Sequence, residues 1–207
     1  PFGAIDPINR EAIQDEFLRM QKVLRKTIIF VSHDLDEAVK MADKIAIFRD
    51  GRLEQFSSPE QLLARPGNAF IENFLGSDRA LKRLGLVRVD DAILASCDTV
   101  RAGDPVSRAD DLMRAGGSSA IFMVGAEGGP EGVVFADAGP GRSGTVADHA
   151  RPISAAVSVD ADLRNAVALM FANDMPVLPC VDDQGRLKGA LTFRSIVKSL
   201  ADGEAPP

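Results

Sequence analysis

The chain has 207 residues, of which 45% are hydrophobic and 26% are charged, and its net charge is −6. This is enough chain for one large or two small globular domains. No window approaches the about 18 consecutive apolar residues of a membrane-spanning helix, and no signal-peptide pattern opens the chain, so a soluble, cytosolic protein is expected. Residues 1–85 hold 13 basic and 13 acidic residues, which leaves 11 basic and 17 acidic residues for the remainder and argues against a nucleic-acid partner.

The first predicted elements are a helix and a buried strand. Asp6-Pro7 is a typical helix start, and the apolar spacing that follows predicts a helix over residues 8–24. Four apolar residues share one face of this helix: Ile13, Phe17, Met20 and Leu24. The β-branched run Thr27–Val31 then predicts a fully buried strand of a parallel sheet.

The same alternation continues toward residue 60. In chain order the patterns predict a helix over 35–42, a strand over 44–49, a return strand over 53–56 and a short helix from Pro59. Asp50-Gly51 favours a two-residue hairpin turn between the two strands. The order of strand, helix and strand is typical of a doubly wound α/β sheet.

One of the only two histidines, His33, follows the predicted strand Thr27–Val31 by two residues and precedes an acidic helical segment. Ligands of such sheets bind outside the carboxyl ends of the strands. This position therefore indicates an imidazole that faces a bound phosphate or a reacting water. The alternative is a histidine that caps the following helix or fills a gap.

The stretches "PFGAIDP" and "TIIFVSHDLDEAVKMADKIAIFRDGRLEQFSSPEQLL" resemble the end of the nucleotide-binding subunit of an ABC transporter. The resemblance implies that His33 is the switch histidine, which contacts the γ-phosphate and positions the attacking water, and that Asp6 belongs to the D-loop. It also implies ATP and Mg²⁺ as cofactors of the intact protein. No Walker A, signature or Walker B motif occurs in the chain, so we expect no ATP hydrolysis by this chain alone.

The run "NAFIENFLGSDRALKRLGLVRVDDAI" narrows the resemblance to the subunits that energise uptake of glycine betaine, proline, choline and carnitine. This implies three partners: an ABC transmembrane permease subunit, a second copy of the ATPase subunit in a homodimer, and, indirectly, a substrate-binding protein. It also implies a peripheral location on the cytoplasmic side of the inner or plasma membrane.

The second half of the chain contains an internal repeat. A shift of 57 residues places Val100 on Val157 and Gly132 on Gly189, and both copies predict an amphipathic helix, a strand, a Gly turn and a second strand. The stretch "AVALMFANDMPVLPCVDDQGRLKGALTFRSIV" resembles a CBS repeat. The expected fold is therefore α/β overall: a partial ABC ATPase (P-loop NTPase-like) sheet lacking its N-terminal half, followed by an α+β tandem CBS pair.

The CBS family often binds adenosine nucleotides through a motif of Gly, two apolar residues, Thr or Ser, two variable residues and Asp. Repeat 2 has Ser195 in place of the Asp, and repeat 1 has Phe135 for the Thr and Ala138 for the Asp. Loss of the ribose-binding carboxylate argues against ordinary AMP or ATP binding. Thr192 and Arg194 are candidates for contacting another phosphate-bearing ligand, and the alternative is a strand end with a solvated Arg. The resemblance to other members of the family suggests regulation by ionic strength, through the acidic surface of this module, or by a cyclic dinucleotide, and the sequence does not choose between them.

The predicted organisation has five parts: residues 1–76 as the C-terminal portion of an ABC ATPase domain, 77–96 as a connector, 97–140 as a degenerate CBS repeat 1, 141–150 as a linker and 151–202 as CBS repeat 2. Two other functions are compatible with these patterns. One is a stand-alone CBS regulatory or binding protein with an inert ABC remnant. The other is an ABC ATPase for another substrate, such as an amino acid or a metal chelate.

Three further features indicate no additional site. "GPGRSGT", residues 139–145, lacks the P-loop Lys and is interpreted as the linker between repeats. His149 has no metal-ligand cluster at suitable spacing, so no metal site is predicted. Cys97 and Cys180 lack paired spacing and are expected to be free thiols, with Cys180 in the core.

Overall fold

The computed structural model describes residues 2–3, 5–93, 97–136 and 142–202. The chain divides into two compact units, Pro1–Arg83 and Leu84–Pro207, which we call unit 1 and unit 2. Across these described ranges, no helix is long and apolar enough to span a membrane.

Unit 1 is a set of helices around one β-hairpin. Its elements are α1 (Pro7–Leu24), α2 (Leu35–Met41), β1 (Ile45–Arg49), β2 (Arg52–Ser57), α3 (Pro59–Ala64), α4 (Ala69–Leu75) and α5 (Arg79–Leu84), the last of which ends at the unit boundary. Phe2, before α1, is buried, and the other buried apolar side chains come from the elements after α1: Val39, Ile45, Ile47, Leu62, Leu63, Ile71 and Leu75.

The hairpin of unit 1 forms where the sequence predicts it. β1 and β2 are antiparallel, with Arg49 opposite Arg52. The two turn residues, Asp50 and Gly51, have φ values of 49° and 76°. Positive φ at both positions is the requirement of a type I′ turn, whose twist matches that of paired strands. The predicted hairpin is confirmed.

The predicted strand at Thr27–Val31 is wrong. This segment has no strand conformation, and Ile29 and Val31 are 90% and 80% exposed. A strand needs a hydrogen-bonded neighbour, but among the described residues β1 and β2 pair only with each other. For the same reason the described part of unit 1 is a hairpin with helices and contains no doubly wound parallel sheet.

Helix α1 is confirmed, but its apolar face is not packed. Ile13, Met20 and Leu24 are exposed, whereas Phe17 is half-buried against the ring of Phe2, 6.2 Å away between centroids. Helical spacing identifies side chains that share a face, and it does not establish that a neighbouring element covers that face. The predicted helix is therefore confirmed, and most of its apolar face is exposed among the described residues.

Unit 2 contains the two copies of the 57-residue repeat. After α6 (Val89–Ala92), repeat 1 has β3 (Thr99–Val100), α7 (Val106–Gly116), β4 (Ala120–Val124) and β5 (Pro130–Phe135), followed by α8 (Val146–His149) and β6 (Arg151–Pro152). Repeat 2 has β7 (Val157–Ser158), α9 (Leu163–Ala172), β8 (Val177–Val181), β9 (Leu187–Thr192) and α10 (Phe193–Asp202). The starts of α7, β4 and β5 lie 57 residues before those of α9, β8 and β9, so the predicted repeat is confirmed.

The two repeats share one sheet topology. The sheet of repeat 1 has the order β3-β4-β5-β6 and that of repeat 2 the order β7-β8-β9. In both, the first pair is parallel and the second antiparallel. Even the register irregularity recurs 57 residues apart, between Met123 and Val124 and between Cys180 and Val181. The apolar positions and glycines that match in the sequence therefore occupy equivalent structural positions.

The short helices α6 and α8 each precede one repeat and pack on the other. Helix α6 precedes repeat 1 and packs on repeat 2, whereas α8 precedes repeat 2 and packs on repeat 1. Val89 of α6 lies in one core cluster with Leu163 and Met170 of repeat 2. Val146 of α8 lies in a cluster with Ala109 and Met113 of repeat 1. The segment 141–150, assigned to the linker, thus includes a helix that contributes to the core of repeat 1, and the domain boundaries themselves stay a prediction.

A third cluster joins the two repeats. Phe122 and Val133 of repeat 1 pack with Val177 and Ala190 of repeat 2. The turn of one hairpin also contacts the other hairpin, because the Leu187 N–H donates to the Gly128 carbonyl oxygen at 2.9 Å. The sheets bury each other's apolar faces, as expected for a repeat that is incomplete alone.

Candidate functional site

His33 lies in the turn that leads into α2, and its side chain is exposed. Its ring forms no hydrogen bond to the residues that the structure describes. The helix is capped by the next residue instead: the Asp34 carboxylate accepts from the N–H groups of Asp36 and Glu37 at 2.9 and 3.2 Å. His33 is therefore not the helix cap, and its imidazole is available to a ligand.

The turn around His33 is held on both sides. The Asp34 N–H donates to the Ser32 hydroxyl oxygen at 3.1 Å, and the Ser32 hydroxyl donates to the carboxylate of Glu37. Glu37 is buried on α2. These contacts fix the backbone on either side of the imidazole and present it at the N-terminal end of the helix.

Asp6 is the N-cap of α1. Its carboxylate accepts from the backbone N–H of Asn9 at 3.1 Å and from the side-chain amide of Asn9 at 2.7 Å. A carboxylate at this position satisfies a backbone donor of the first turn, and such caps contribute about 1 kcal/mol. The predicted helix start at Asp6-Pro7 is therefore confirmed, while a D-loop role for Asp6 stays a prediction.

Arg10, which the sequence analysis did not identify, connects the Asp6 and His33 turns. Its guanidinium donates to the carbonyl oxygens of Ile5 at 2.9 Å and Gly3 at 3.4 Å. Another guanidinium nitrogen lies 3.9 Å from the Asp34 carboxylate. An arginine one turn into an amphipathic helix is normally a solvated residue, so its spacing carried no signal of this connection.

In unit 2 the motif residues Thr192 and Ser195 form hydrogen bonds with each other. The Ser195 N–H donates to the Thr192 hydroxyl oxygen at 3.1 Å, and the Ser195 hydroxyl donates to the Thr192 carbonyl oxygen at 3.0 Å. Thr192 thus caps the first turn of α10, and the buried Ser195 offers no carboxylate. Arg194 is exposed and forms no hydrogen bond within the described residues. The motif position Ala138 of repeat 1 lies outside the described residues.

A cleft of about 620 Å³ opens beside this motif. Repeat 1 contributes Val133 and Phe135, and the rest of the lining comes from β6, Ser154, the end of α9, the loop from α9 to β8, the start of β8 and Phe193. Neither Thr192 nor Arg194 lines it. The structure therefore separates the two sequence-predicted ligand residues from this cleft.

The described part of "GPGRSGT" forms internal contacts and no phosphate cradle. Arg142 pairs with Asp110 of α7 and donates to the Phe135 carbonyl oxygen at 3.0 Å. Thr145 and Asp148 form a capping box at α8, and hydrogen bonds from the backbone N–H and the hydroxyl of Thr145 lower the pKa of Asp148. Residues 139–141 of the motif lie outside the described residues.

The two cysteines and His149 show no arrangement typical of a catalytic or metal site among the described residues. Both cysteines are free, as predicted, and burial raises the pKa of Cys180 to about 12 and also raises that of Cys97. High thiol pKa values make poor nucleophiles at neutral pH. His149 Nε2 lies 2.9 Å from the Ser143 carbonyl oxygen. No group of three or more potential metal ligands occurs in the part of the chain that the structure describes.

Comparison with curated proteins extends the likeness to both units. The chain is 40% identical over 204 residues to the osmoprotectant import ATP-binding protein OsmV of Salmonella typhimurium, covering 98% of this chain and 53% of OsmV. It is similar to the ATP-binding subunits of osmoprotectant importers. The glycine betaine/carnitine/choline transport ATP-binding protein OpuCA of Bacillus subtilis is 35% identical over 206 residues, covering 98% of this chain and 54% of OpuCA. The resemblance derived from the motifs is confirmed, and the chain spans about half the length of these relatives.

Unit 2 matches the CBS fold. A CBS domain is matched over residues 146–202. The CBS-pair protein CBSX2 from Arabidopsis thaliana has a TM-score of 0.50 and 20% identity, covering 56% of this chain and 95% of that protein. The CBS domain of a bacterial CNNM/CorC family Mg²⁺ transporter has a TM-score of 0.52 and 16% identity, covering 62% and 82%. These likenesses establish the CBS fold alone. Together with the similarity to about half the length of OsmV and OpuCA, they support the predicted partial ATPase followed by a CBS pair.

Proposed function

We propose that this chain is part of the ATP-binding subunit of an importer for glycine betaine, choline, carnitine or a related quaternary amine. The supporting observation is that the similarity to OsmV and OpuCA runs through 98% of the chain, and so through both units. A stand-alone CBS protein accounts for unit 2 only. The same similarity favours an osmoprotectant importer over an importer of amino acids or metal chelates.

In this function His33 acts as the switch histidine. Phosphoryl transfer is catalysed mainly by positioning and by stabilisation of charge on the phosphoryl oxygens. An exposed imidazole without a partner in the described residues, held between Ser32 and Asp34, is suited to donate to a γ-phosphate oxygen and to orient a water. Asp6 takes the D-loop position, and Arg10 keeps its turn next to that of His33.

ATP and Mg²⁺ are the proposed cofactors of the whole subunit. The chain has no G-x-x-x-x-G-K-[ST] sequence, which normally supplies the phosphate-binding amides, the Lys and a Mg²⁺ ligand. We therefore propose that these groups come from another part of the subunit and that the 207-residue chain alone does not hydrolyse ATP. Its own contribution is the imidazole of His33 and the carboxylate of Asp6.

The proposed assembly is a homodimer of the ATP-binding subunit, bound to a permease at the cytoplasmic side of the membrane and served indirectly by a substrate-binding protein. The proposed parts are the ATPase portion (residues 1–76), the connector (77–96), the two CBS repeats (97–140 and 151–202) and the segment between the repeats (141–150). Unit 2 regulates transport, and a phosphate-bearing effector would contact Thr192 and Arg194.

The decisive experiment for this proposal is His33→Ala in the full-length subunit, assembled with its permease. We expect ATP turnover to fall by about 100-fold, the usual effect of removing one positioned donor to a transition-state oxygen, while ATP binding stays largely intact. His149→Ala is the matched control, because it removes the chain's other histidine from unit 2. Unchanged turnover in His33→Ala would falsify the switch assignment.

The regulatory role of unit 2 is tested by ending the same subunit at Arg83, where the two units divide. We expect basal ATP hydrolysis to persist and its dependence on salt or nucleotide to change. A truncated subunit that responds to both in the same way as the full-length subunit would leave unit 2 without a regulatory role.

A further inference from the structure

We propose that the cleft of unit 2 binds a small zwitterion that carries a quaternary ammonium group and a carboxylate, the chemistry of glycine betaine and carnitine. The cleft volume of about 620 Å³ lies in the usual range for small-molecule sites, which combine apolar walls with a few polar groups. The groups that would bind this ligand are aromatic rings, one guanidinium and one carboxylate.

Two phenylalanines at the cleft form an exposed aromatic pair. Phe171 in the last turn of α9 and Phe193 at the start of α10 have ring centroids 5.6 Å apart, and Phe171 is 72% exposed. Both line the cleft. A methylated ammonium is attracted to aromatic faces and carries little of the hydration that a primary ammonium must lose. An exposed ring pair in a concave site is the arrangement that such a cation requires.

Opposite charges line the same cleft. The Arg151 guanidinium lies 5.4 Å from the centroid of the Phe135 ring, a cation–π contact that holds it at the cleft wall. Arg151 forms no ion pair within the described residues, so its donors are available to a carboxylate. Asp174, just past α9, also lines the cleft and is exposed, and it supplies negative charge for the ammonium. One cation and one anion match a zwitterion better than a polyanion.

The nucleotide motif of the CBS family is incomplete in both repeats of this sequence. Phe135 replaces the motif Thr of repeat 1, and in repeat 2 Thr192 and Ser195 satisfy each other as a helix cap. No motif carboxylate is left for ribose hydroxyls, whereas the aromatic and charged groups that remain suit a methylated zwitterion. All the groups of this site lie in unit 2. A feedback role, in which the imported solute binds unit 2 and regulates its own importer, rests on the proposed function.

The test is a titration of the 207-residue chain with glycine betaine, followed by NMR of ¹³C-methyl methionine. The chain has six methionines, of which Met170 and Met175 line the cleft, whereas Met20 and Met41 lie in unit 1. We expect saturable shifts of the Met170 and Met175 methyls in the millimolar range, and unshifted Met20 and Met41 methyls. 3,3-Dimethylbutanoate has the shape and carboxylate of glycine betaine without the positive charge, and we expect it to bind at least severalfold more weakly.

Three substitutions separate the contributions. Phe171→Ala removes one aromatic face and should weaken binding about two- to fivefold, the usual value of one exposed cation–π contact. Arg151→Gln should weaken glycine betaine but not tetramethylammonium, which has no carboxylate. Asp174→Asn should weaken both, and Asn tolerates the left-handed φ of 49° at this position. Phe74→Ala is the control, because Phe74 is also exposed and paired with another ring, but it belongs to unit 1.

The inference is overturned if glycine betaine leaves both cleft methyls unshifted, if 3,3-dimethylbutanoate binds equally well, or if AMP shifts these methyls where glycine betaine does not. Equal affinities of the Phe171→Ala and Phe74→Ala chains would also overturn it. None of these results involves ATP hydrolysis. A negative titration with a normal His33 result therefore rejects only the zwitterion site, whereas a positive titration with unchanged turnover in His33→Ala rejects only the switch assignment.

Discussion

Replacing Val146 tests the packing of α8 on repeat 1. Val146→Ala deletes two methyl groups from a fully buried position within a segment that the sequence marks as a linker. Burial of each group contributes about 0.8 kcal/mol, and the cavity that remains adds to the loss. Alanine recovers up to about 0.6 kcal/mol through its higher helix propensity. The net expectation is a loss of about 1–2.5 kcal/mol in the free energy of unfolding of unit 2.

Urea denaturation measures this loss. With a slope of about 1–3 kcal/mol per M, the midpoint should fall by roughly 0.3–2.5 M. Val89→Ala, 57 residues earlier in α6, is the symmetric partner and should cost a similar amount. Val197→Ala is the control, since that side chain is 65% exposed on α10 and its replacement should change stability by less than about 0.5 kcal/mol.

Methionine resonances can also show which repeat each short helix contacts. Val146 shares its core cluster with Met113 of repeat 1, and Val89 shares its cluster with Met170 of repeat 2. The Met113 methyl resonance should therefore move in Val146→Ala, and the Met170 resonance in Val89→Ala. A stability of Val146→Ala equal to that of the control, or a shift of Met170 in place of Met113, would refute the exchange of short helices between repeats.

Three further predictions concern single side chains. The backbone N–H of Arg186, followed by other donors of the β8–β9 turn, lowers the pKa of Asp182. The stability that this carboxylate contributes is therefore present above its unfolded pKa and is lost as pH falls through its folded pKa. Asp182→Asn should flatten the acid side of a curve of unfolding free energy against pH, and an unchanged curve would contradict this. Ser58→Ala removes the side-chain acceptor for the Gln61 N–H at α3 and should cost about 1 kcal/mol in thermal unfolding of unit 1, where no loss would show the cap to be dispensable. Arg194→Gln should weaken binding of any phosphate-bearing effector that saturates the chain in calorimetry, and equal affinity would remove Arg194 from the proposed effector site.

Local and repeating patterns predicted structure well. Asp50-Gly51 predicted its hairpin because both residues tolerate the positive φ that the turn requires. The 57-residue shift predicted the elements of both repeats because apolar positions and glycines recur wherever the same backbone must pack in the same way. The CBS pair was therefore accessible from sequence, together with the helix starts at Asp6-Pro7 and Pro59.

Predictions that depend on a neighbour were less successful. The run Thr27–Val31 has strand propensity, but a strand forms only beside another strand, and the described residues of unit 1 place none there. The apolar spacing of α1 predicted its helix, but whether a neighbour covers that face also depends on the tertiary fold, and Ile13, Met20 and Leu24 are exposed. Arg10 and the cleft pair Phe171 and Phe193 could not be predicted either, because their contacts join segments whose relative placement is set by the tertiary fold and leaves no periodic signal.

The two degenerate motifs of unit 2 have changed in different directions, and this difference bears on ligand chemistry. In repeat 1 the Thr position has become Phe135, whose ring supports Arg151 at the cleft wall. In repeat 2 the motif Thr is present as Thr192, which caps α10 through the Ser195 N–H, and Ser195 stands where the motif has its carboxylate. One change adds an aromatic surface and a positioned cation, and the other removes a negative acceptor for hydroxyl groups. In the proposed site these two features favour a ligand that presents a carboxylate to Arg151 and methyl groups to aromatic rings over a ligand that presents a ribose.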